Sequence, residues 1–189
     1  MRPTVALIHA LIETEAAFAR LTALDLARPT CCPGWNVRQV LHHTTAITRK
    51  FAAFAAGGTD APRTPFRDLL GADPTREFVA TASTARRAWA SVDLARTCHL
   101  PFGTFTAEQA AGVNLFDLLA HYSDIAHSIG SAVTGPTEVW ETALDAARQV
   151  VGDADRDLDH YARAQPVAPD APLSEQLRAY LGRVPAAGS

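Results

Sequence analysis

The sequence predicts an all-α protein: an antiparallel four-helix bundle with short extra helices at its C-terminal end. Alanine-rich segments repeat their apolar residues with the 3.6-residue period of a helix, and helix start and stop signals bracket these segments. No run of alternating apolar and polar residues is long enough to predict a sheet. The chain has 189 residues, of which 48% are hydrophobic, so we expect one domain over residues 1–189 with a substantial core.

Apolar periodicity and capping residues predict the first two helices. The first is expected over Thr4–Leu24, and the loop ARPTCCPGW follows it. Asn36 and Gln39 then have the spacing of a capping box, in which each side chain bonds a free backbone N–H at a helix start. The second helix should therefore begin at Asn36 and run to about Ala56, where Gly57 and its glycine neighbour end it.

The later helices are delimited in the same way. Segment 58–70 is rich in Thr, Pro and Arg and is expected to be a loop, whereas Asp73 is an N-cap residue for a helix over Pro74–Ala90. A second loop, over Val92–Thr106, should lead into the long helix Ala107–Ile129, which a glycine ends. Two further helices are expected, at Pro136–Val151 and Leu173–Leu181.

Charge and cysteine content exclude several functional classes. The formal net charge is -3 and the arginines are scattered, so we expect no nucleic-acid partner. No apolar run approaches the ~20 residues that span a bilayer, so we expect no membrane partner. Cys31, Cys32 and Cys98 form neither a disulfide framework nor a CxxC zinc motif, which favours a reducing cytoplasm.

The second helix offers two adjacent histidines, which a helix directs about 100° apart. His43 is aligned with the apolar residues Val40 and Ile47, whereas His42 is aligned with Arg49 and other polar residues. We therefore predict that His43 is the buried one. A metal plus one hydrogen bond would satisfy both nitrogens of a buried imidazole, but a core histidine bonded to a carbonyl or to water fits the pattern as well.

The fourth helix carries Asp117 and His121 on one face, one turn apart. Such a pair can chelate one ion, as two histidines do in helical HExxH sites. A solvated helix face would show the same spacing, which continues to Asp124. Taken together, His43, Asp117 and His121 supply two imidazoles and a carboxylate, a set that leaves coordination positions open for water or substrate.

Four segments resemble one family, in order and over nearly the whole chain. CPGWNVRQVLHH, from Cys32 to His43, resembles the CPGW-x-VR-x-L-x-x-H signature of DinB-like proteins related to the N-terminal domain of mycothiol-dependent maleylpyruvate isomerase. LPFGTFTAEQA resembles the loop before their last bundle helix, and FDLLAHYSDIAHSIG resembles the helix itself. The tail PDAPLSEQLRAYLGRVP is similar to the end of the single-domain subfamily.

This resemblance implies a DinB-like bundle that holds a divalent ion, usually zinc. The implied ligands are His43, Asp117 and His121, and nickel or iron would accept the same donors. Asp124 matches a recurrent family aspartate and is expected beside the ligands rather than on the metal.

The chain also departs from the family pattern. The usual tryptophan is Ser123 here and Tyr122 precedes it, so both are expected to line the pocket and to alter its shape. His42 stands where the family has a small residue. Cys32 matches a motif position and is expected to be a buried structural thiol rather than a nucleophile, because no basic group is evident beside it in the sequence.

The implied function is that of a metal-dependent thiol S-transferase or isomerase. It would activate a low-molecular-weight thiol, mycothiol, on the metal for attack on an electrophilic small-molecule substrate. A thiol-independent hydrolase, lyase or cyclase of a specialised pathway, or a metal-binding module without catalysis, would keep the same ligands. The sequence assigns no catalytic residue, and it does not separate a monomer from a homodimer.

Overall fold

The structure is a computed structural model that describes residues 1–58, 70–100, 103–152, 156 and 161–184. This part of the chain is mostly helical, as predicted, and it also contains one two-stranded antiparallel sheet. The helices are α1 (Pro3–Phe18), α2 (Ala23–Leu26), α3 (Val37–Ala55), α4 (Pro74–Ala90), α5 (Ala107–Ile129), α6 (Thr137–Val150) and α7 (Leu173–Tyr180). The strands are β1 (Thr97–Leu100) and β2 (Gly103–Thr106). Of the loop predicted at 58–70, all but the two end residues lies outside the described residues.

Local capping signals predicted the starts of α3 and α4. Asn36 Oδ1 accepts from the backbone N–H of Gln39 at 3.0 Å, and Gln39 Oε1 accepts from the backbone N–H of Asn36 at 2.9 Å, which confirms the capping box before α3. Asp73 caps α4 through a bond from the N–H of Arg76. The bounds of α5 are those predicted, and Gly130 ends it in the left-handed region, at φ 70°.

The first predicted helix is too long. It ends at Phe18, and the separate short helix α2 follows because Thr22 starts a new capping box. The Asp25 carboxylate accepts from the backbone N–H of Thr22 at 2.9 Å, and the Thr22 hydroxyl accepts from the N–H of Asp25 at 3.3 Å. A local side-chain bond therefore overrides the continuing apolar pattern.

The loop predicted over Val92–Thr106 contains a hairpin. β1 and β2 pair from Thr97 with Thr106 to Leu100 with Gly103. Each strand has only four residues, the shortest length at which alternation of apolar and polar residues indicates a strand, so the sequence signal is weak.

Contacts between the long helices give their relative directions. Near their starts, the backbone N–H of Thr4 in α1 donates to Glu108 in α5 at 3.1 Å. Near their ends, the ring centroids of Phe18 and Tyr122 are 6.1 Å apart. These two helices therefore run in the same direction.

The other two long helices run the opposite way. Phe18 at the end of α1 packs on Phe78 at the start of α4, with ring centroids 4.7 Å apart. α3 is parallel to α4, since Arg38 bonds the Gly71 carbonyl before α4 and Phe54 packs near Trp89 at its end. Neighbouring helices are thus parallel in two pairs, α1 with α5 and α3 with α4, rather than antiparallel throughout as expected.

The two C-terminal helices, α6 and α7, both pack against α5. α6 contacts α5 and α1, and α7 contacts α6 and α5. Within the described residues, no helix has the length and apolarity that a membrane span requires. This packing brings the end of the described chain against the second half of α5.

α5 and α6 approach each other closely at Gly112. A Cβ atom at this glycine would lie 2.9 Å from the Cβ of Ala146, well inside van der Waals contact. Gly112 is therefore required by packing, because a glycine inside a helix otherwise costs about 1 kcal/mol relative to alanine.

We predict that Gly112→Val lowers the free energy of unfolding by about 1–3 kcal/mol, since the added side chain overpacks this contact. Urea denaturation followed by circular dichroism measures the change. The test lies in a second substitution, Ala146→Gly: it should destabilise the wild-type protein but stabilise the Gly112→Val variant by removing the opposing methyl group. Equal destabilisation in both backgrounds would contradict the assignment.

Candidate metal centre

Three side chains that the sequence selected as candidate ligands converge between α3 and α5. His43 comes from the second turn of α3, and Asp117 and His121 lie one turn apart on α5. One donor atom from each lies within 4.8 Å of the other two. His43 Nε2 is 3.7 Å and His121 Nε2 is 3.8 Å from the same oxygen, Asp117 Oδ1.

These separations suit a shared ion better than direct bonds. Distances of 3.7–3.8 Å are too long for hydrogen bonds. Neighbouring ligands around a tetrahedral zinc ion, with bonds of about 2.0–2.2 Å, lie roughly 3.3–3.6 Å apart. The other carboxylate oxygen, Asp117 Oδ2, is buried and accepts no hydrogen bond from any described residue. A buried anionic oxygen without a partner is costly, so the set fits a divalent cation.

The electrostatics keep the carboxylate ionised. Burial raises the pKa of Asp117, whereas the interaction with His43 and the charge of His121 lower it. The lowering is larger, so the net shift of this pKa is downward. Burial also lowers the pKa of His43, but Asp117 outweighs it and raises that pKa. Asp117 is therefore available as an anionic ligand at neutral pH.

The prediction that His43 is the buried histidine of its pair is wrong. His42 is the buried one, 6% exposed, whereas the His43 side chain is 29% exposed. The polar side of α3 is not solvated, because α4 packs on it: Arg49, two turns beyond His42, bonds Glu77 and Thr81 of α4. The polar residues that recur along this side of α3 therefore indicate a contact with another helix rather than a face exposed to solvent.

His43 lies instead at the rim of the site. Its ring centroid is 5.3 Å from that of Trp35 and 4.8 Å from that of His121. The Asp117 side chain is also partly exposed, at 22%. The three donors are therefore held by two helices yet reachable from outside, as a site that admits a small molecule requires.

Asp124 forms a hydrogen bond with the ring nitrogen of His121 that faces away from Asp117. Its Oδ2 is 3.1 Å from His121 Nδ1, and its side chain is fully buried. A carboxylate on one ring nitrogen fixes the tautomer and leaves the other nitrogen free to bind a metal. The free nitrogen, Nε2, is the one that faces Asp117.

Two arginines from the C-terminal part of the chain surround this carboxylate. Arg183 Nη2 donates to Asp124 Oδ2 at 3.0 Å, and Arg178 Nε lies 3.7 Å from Oδ1. Burial raises the pKa of Asp124, but the hydrogen bond with His121 and the charge of Arg183 hold it well below its usual range. Sequence analysis missed both arginines, because nothing in their spacing connects them with a residue more than fifty positions earlier.

Comparison with known proteins gives the family. The profile of the mycothiol maleylpyruvate isomerase N-terminal domain matches residues 8–126, more than half of the chain. The chain belongs to this family. Two proteins of Mycobacterium tuberculosis, the uncharacterized proteins Rv0738 of strain H37Rv and MT0763 of strain CDC 1551, are each 28% identical to it over 185 residues. These alignments cover 97% of this chain and 98% of each relative. No solved structure matches the chain significantly.

The two residues that depart from the family pattern make their contacts elsewhere. The Tyr122 hydroxyl accepts from the backbone N–H of Thr134 at 3.0 Å, and its ring packs on aromatic rings of α1 and α6. Ser123 is fully buried and donates to the Leu119 carbonyl one turn earlier. Their place at the pocket stays a prediction; neighbours of His121 in sequence are turned about 100° away for each helical position.

Cys32 also differs from its expected role. It is half-buried rather than buried, and its thiol donates to Asp124 Oδ2 at 3.4 Å. The basic groups that the sequence did not show beside it are supplied by the folded chain, since Arg183 bonds the same carboxylate.

We predict that Asp124→Asn lowers the free energy of unfolding by about 3–5 kcal/mol. The amide has nearly the same shape, but it leaves the buried Arg183 without its counter-charge and Arg178 with Glu175 alone. Chemical denaturation at pH 7 measures the loss. Asp145→Asn is the control, since Asp145 is an exposed α6 residue 3.8 Å from Arg148, and it should change stability by less than about 0.5 kcal/mol.

The same variant has a pH signature. The pKa of Asp124 is depressed in the folded state, so its stabilisation is present above the unfolded-state value of about 3.9 and is lost as the pH falls below it. The stability difference between wild type and Asp124→Asn should therefore narrow below about pH 4. A difference that stays constant down to the acid limit of folding would contradict this.

Proposed function

We propose that this protein is a divalent-metal-dependent enzyme that uses a low-molecular-weight thiol, mycothiol, for S-transfer to, or isomerisation of, a small electrophilic substrate. The observation that supports it most is the convergence of His43, Asp117 and His121, with Asp124 on the outer nitrogen of His121. We also propose that α1, α3, α4 and α5 form the DinB-like four-helix bundle of one domain over residues 1–189. The cytoplasm is the proposed location.

The roles of the residues follow from their positions. His43, Asp117 and His121 would hold the ion; zinc is favoured, and nickel or iron suits the same donors. When bound, such an ion lowers the pKa of a thiol from its usual value of about 8.5, so that the thiolate is available at neutral pH. Asp124 keeps His121 in one tautomer, and the exposed edge of His43 beside Trp35 gives small molecules access.

The ligand assignment is tested by metal content. Protein purified without a chelator or a histidine tag, then offered zinc and desalted, should contain about one divalent ion per chain by elemental mass spectrometry. His43→Ala and His121→Ala should lose it. His9→Ala, at an exposed position of α1, should keep it. Equal metal content in His9→Ala and the two ligand variants would contradict the site, and wild-type protein that binds no metal would favour a non-catalytic module.

The use of a thiol is tested by calorimetric titration with mycothiol. Saturable binding is expected to the zinc-loaded protein, with at least tenfold weaker binding to the metal-free protein and to His121→Ala. The measurement separates the two catalytic hypotheses. A protein that binds zinc through these ligands but does not bind mycothiol would favour the thiol-independent hydrolase, lyase or cyclase.

A further inference from the structure

A pair of thiols lies next to the candidate metal centre without belonging to it. Cys31 and Cys32 occupy the loop between α2 and α3, and Cys31 is exposed. Cys31 Sγ is 3.1 Å from Asp124 Oδ1, and Cys32 Sγ is 3.4 Å from Asp124 Oδ2. The remaining cysteine, Cys98, is buried in the core.

A guanidinium group contacts the exposed thiol directly. Arg178 Nη2 donates to Cys31 Sγ at 3.7 Å, and Arg183 bonds the Asp124 carboxylate. Arg178 also pairs with Glu175 at 3.3 Å, so the two largely buried guanidinium groups face two carboxylates. A cationic neighbour favours the thiolate, the reactive form of cysteine.

The two thiols are not equivalent. The interaction with the neighbouring Cys32 lowers the pKa of Cys31 and outweighs burial and the Asp124 carboxylate, which both oppose ionisation. The same interaction, together with burial, raises the pKa of Cys32. Cys31 is thus the exposed nucleophile, and Cys32 is its half-buried neighbour.

A cation is a less suitable occupant of this cluster. The two sulfur atoms and an Asp124 oxygen lie within 4.8 Å of one another. The Asp124 oxygens, however, already accept from Arg183 and from His121. A metal ion would have to displace a buried guanidinium from the carboxylate, whereas a thiolate at Cys31 gains from it.

We propose that Cys31 is a site of reversible S-thiolation by low-molecular-weight disulfides. The Cys31 thiolate attacks one sulfur of the disulfide RSSR, forms the bond Cys31–S–S–R and breaks the S–S bond of the reagent. The departing RS⁻ takes a proton from solvent. The Cys31 sulfur is oxidised, the departing sulfur is reduced, and an added thiol RSH reverses the exchange.

The adduct should persist rather than pass to Cys32. The peptide bond between the two cysteines is trans, which fixes their Cα atoms about 3.8 Å apart. Disulfides usually need a Cα separation of about 4.4–6.8 Å. This proposal is independent of the metal, since none of the three candidate ligands takes part in the exchange.

The site is identified by incubating the full-length, metal-free protein with glutathione disulfide at pH 7 and mapping the adduct by peptide mass spectrometry. One glutathione on Cys31 is expected, and it should be removed by dithiothreitol. Cys31→Ser should abolish the adduct, whereas Cys32→Ser, which keeps a donor group, should retain it. An adduct found mainly on Cys32 or Cys98, or none at all, would overturn the proposal.

The role of the surrounding charges is tested by the pH dependence of the rate with an aromatic disulfide. A free cysteine of pKa about 8.5 loses roughly 75-fold in thiolate between pH 8 and pH 6. Cys31, which faces Cys32, Asp124 and Arg178, should lose clearly less thiolate than this over the same range, and Arg178→Lys should keep this shallower profile.

Arg178→Met should make the profile steeper, and the exposed Arg148→Met should not. Circular dichroism verifies that each variant is folded. Should Arg178→Met fail to fold, the pH dependence of the rate is compared between folded and urea-unfolded wild type, and the folded protein should have the shallower profile. A folded wild-type profile as steep as that of free cysteine would overturn the proposal.

Discussion

The fully buried carboxylate of Asp124 connects parts of the chain that are far apart in sequence. It accepts from His121 on its own helix, from the cysteine loop before α3 and from Arg183 after α7. Withdrawing such a charge from water costs several kcal/mol, and only a complete set of partners offsets it. The cysteine loop, α5 and the C-terminal segment must therefore be assembled together, and the orientation of His121 depends on that assembly.

The directions of the helices explain why the donors meet. α5 is parallel to α1, and α3 is parallel to α4 but opposite to α1, so α3 and α5 are antiparallel neighbours. The beginning of α3 thus lies beside the second half of α5. His43, in the second turn of α3, comes within 4 Å of the Asp117 carboxylate, and the loop before α3 reaches Asp124.

The helix boundaries that were predicted correctly are set by contacts between residues close in sequence. The capping box at Asn36 and the glycine after α5 use bonds within a few residues, and both were predicted with the helices they delimit. The His43, Asp117 and His121 set came from helical spacing and from resemblance, and the fold brings these residues together. Their role as metal ligands stays a prediction.

Two of the failures involve contacts between segments that are distant in sequence. His42 is buried on the side of α3 where Arg49 bonds α4, and apolar periodicity does not show that a polar side of a helix packs against another helix. Arg178 and Arg183 reach Asp124 only after α7 has packed on α5. The early end of α1 and the short hairpin were missed for a different reason. Each is set by a few local bonds, and apolar periodicity over a longer window does not detect them.

The family profile ends at residue 126, while the counter-ions of Asp124 come from residues 178 and 183. A chain cut at the profile boundary would retain every candidate ligand and the aspartate behind them, yet it would hold a buried anion that has lost its two arginines. The stretch that matches the family profile is therefore smaller than the stretch that balances this charge. In this chain, the residues by which the family is recognised and the residues that neutralise the buried carboxylate have different boundaries.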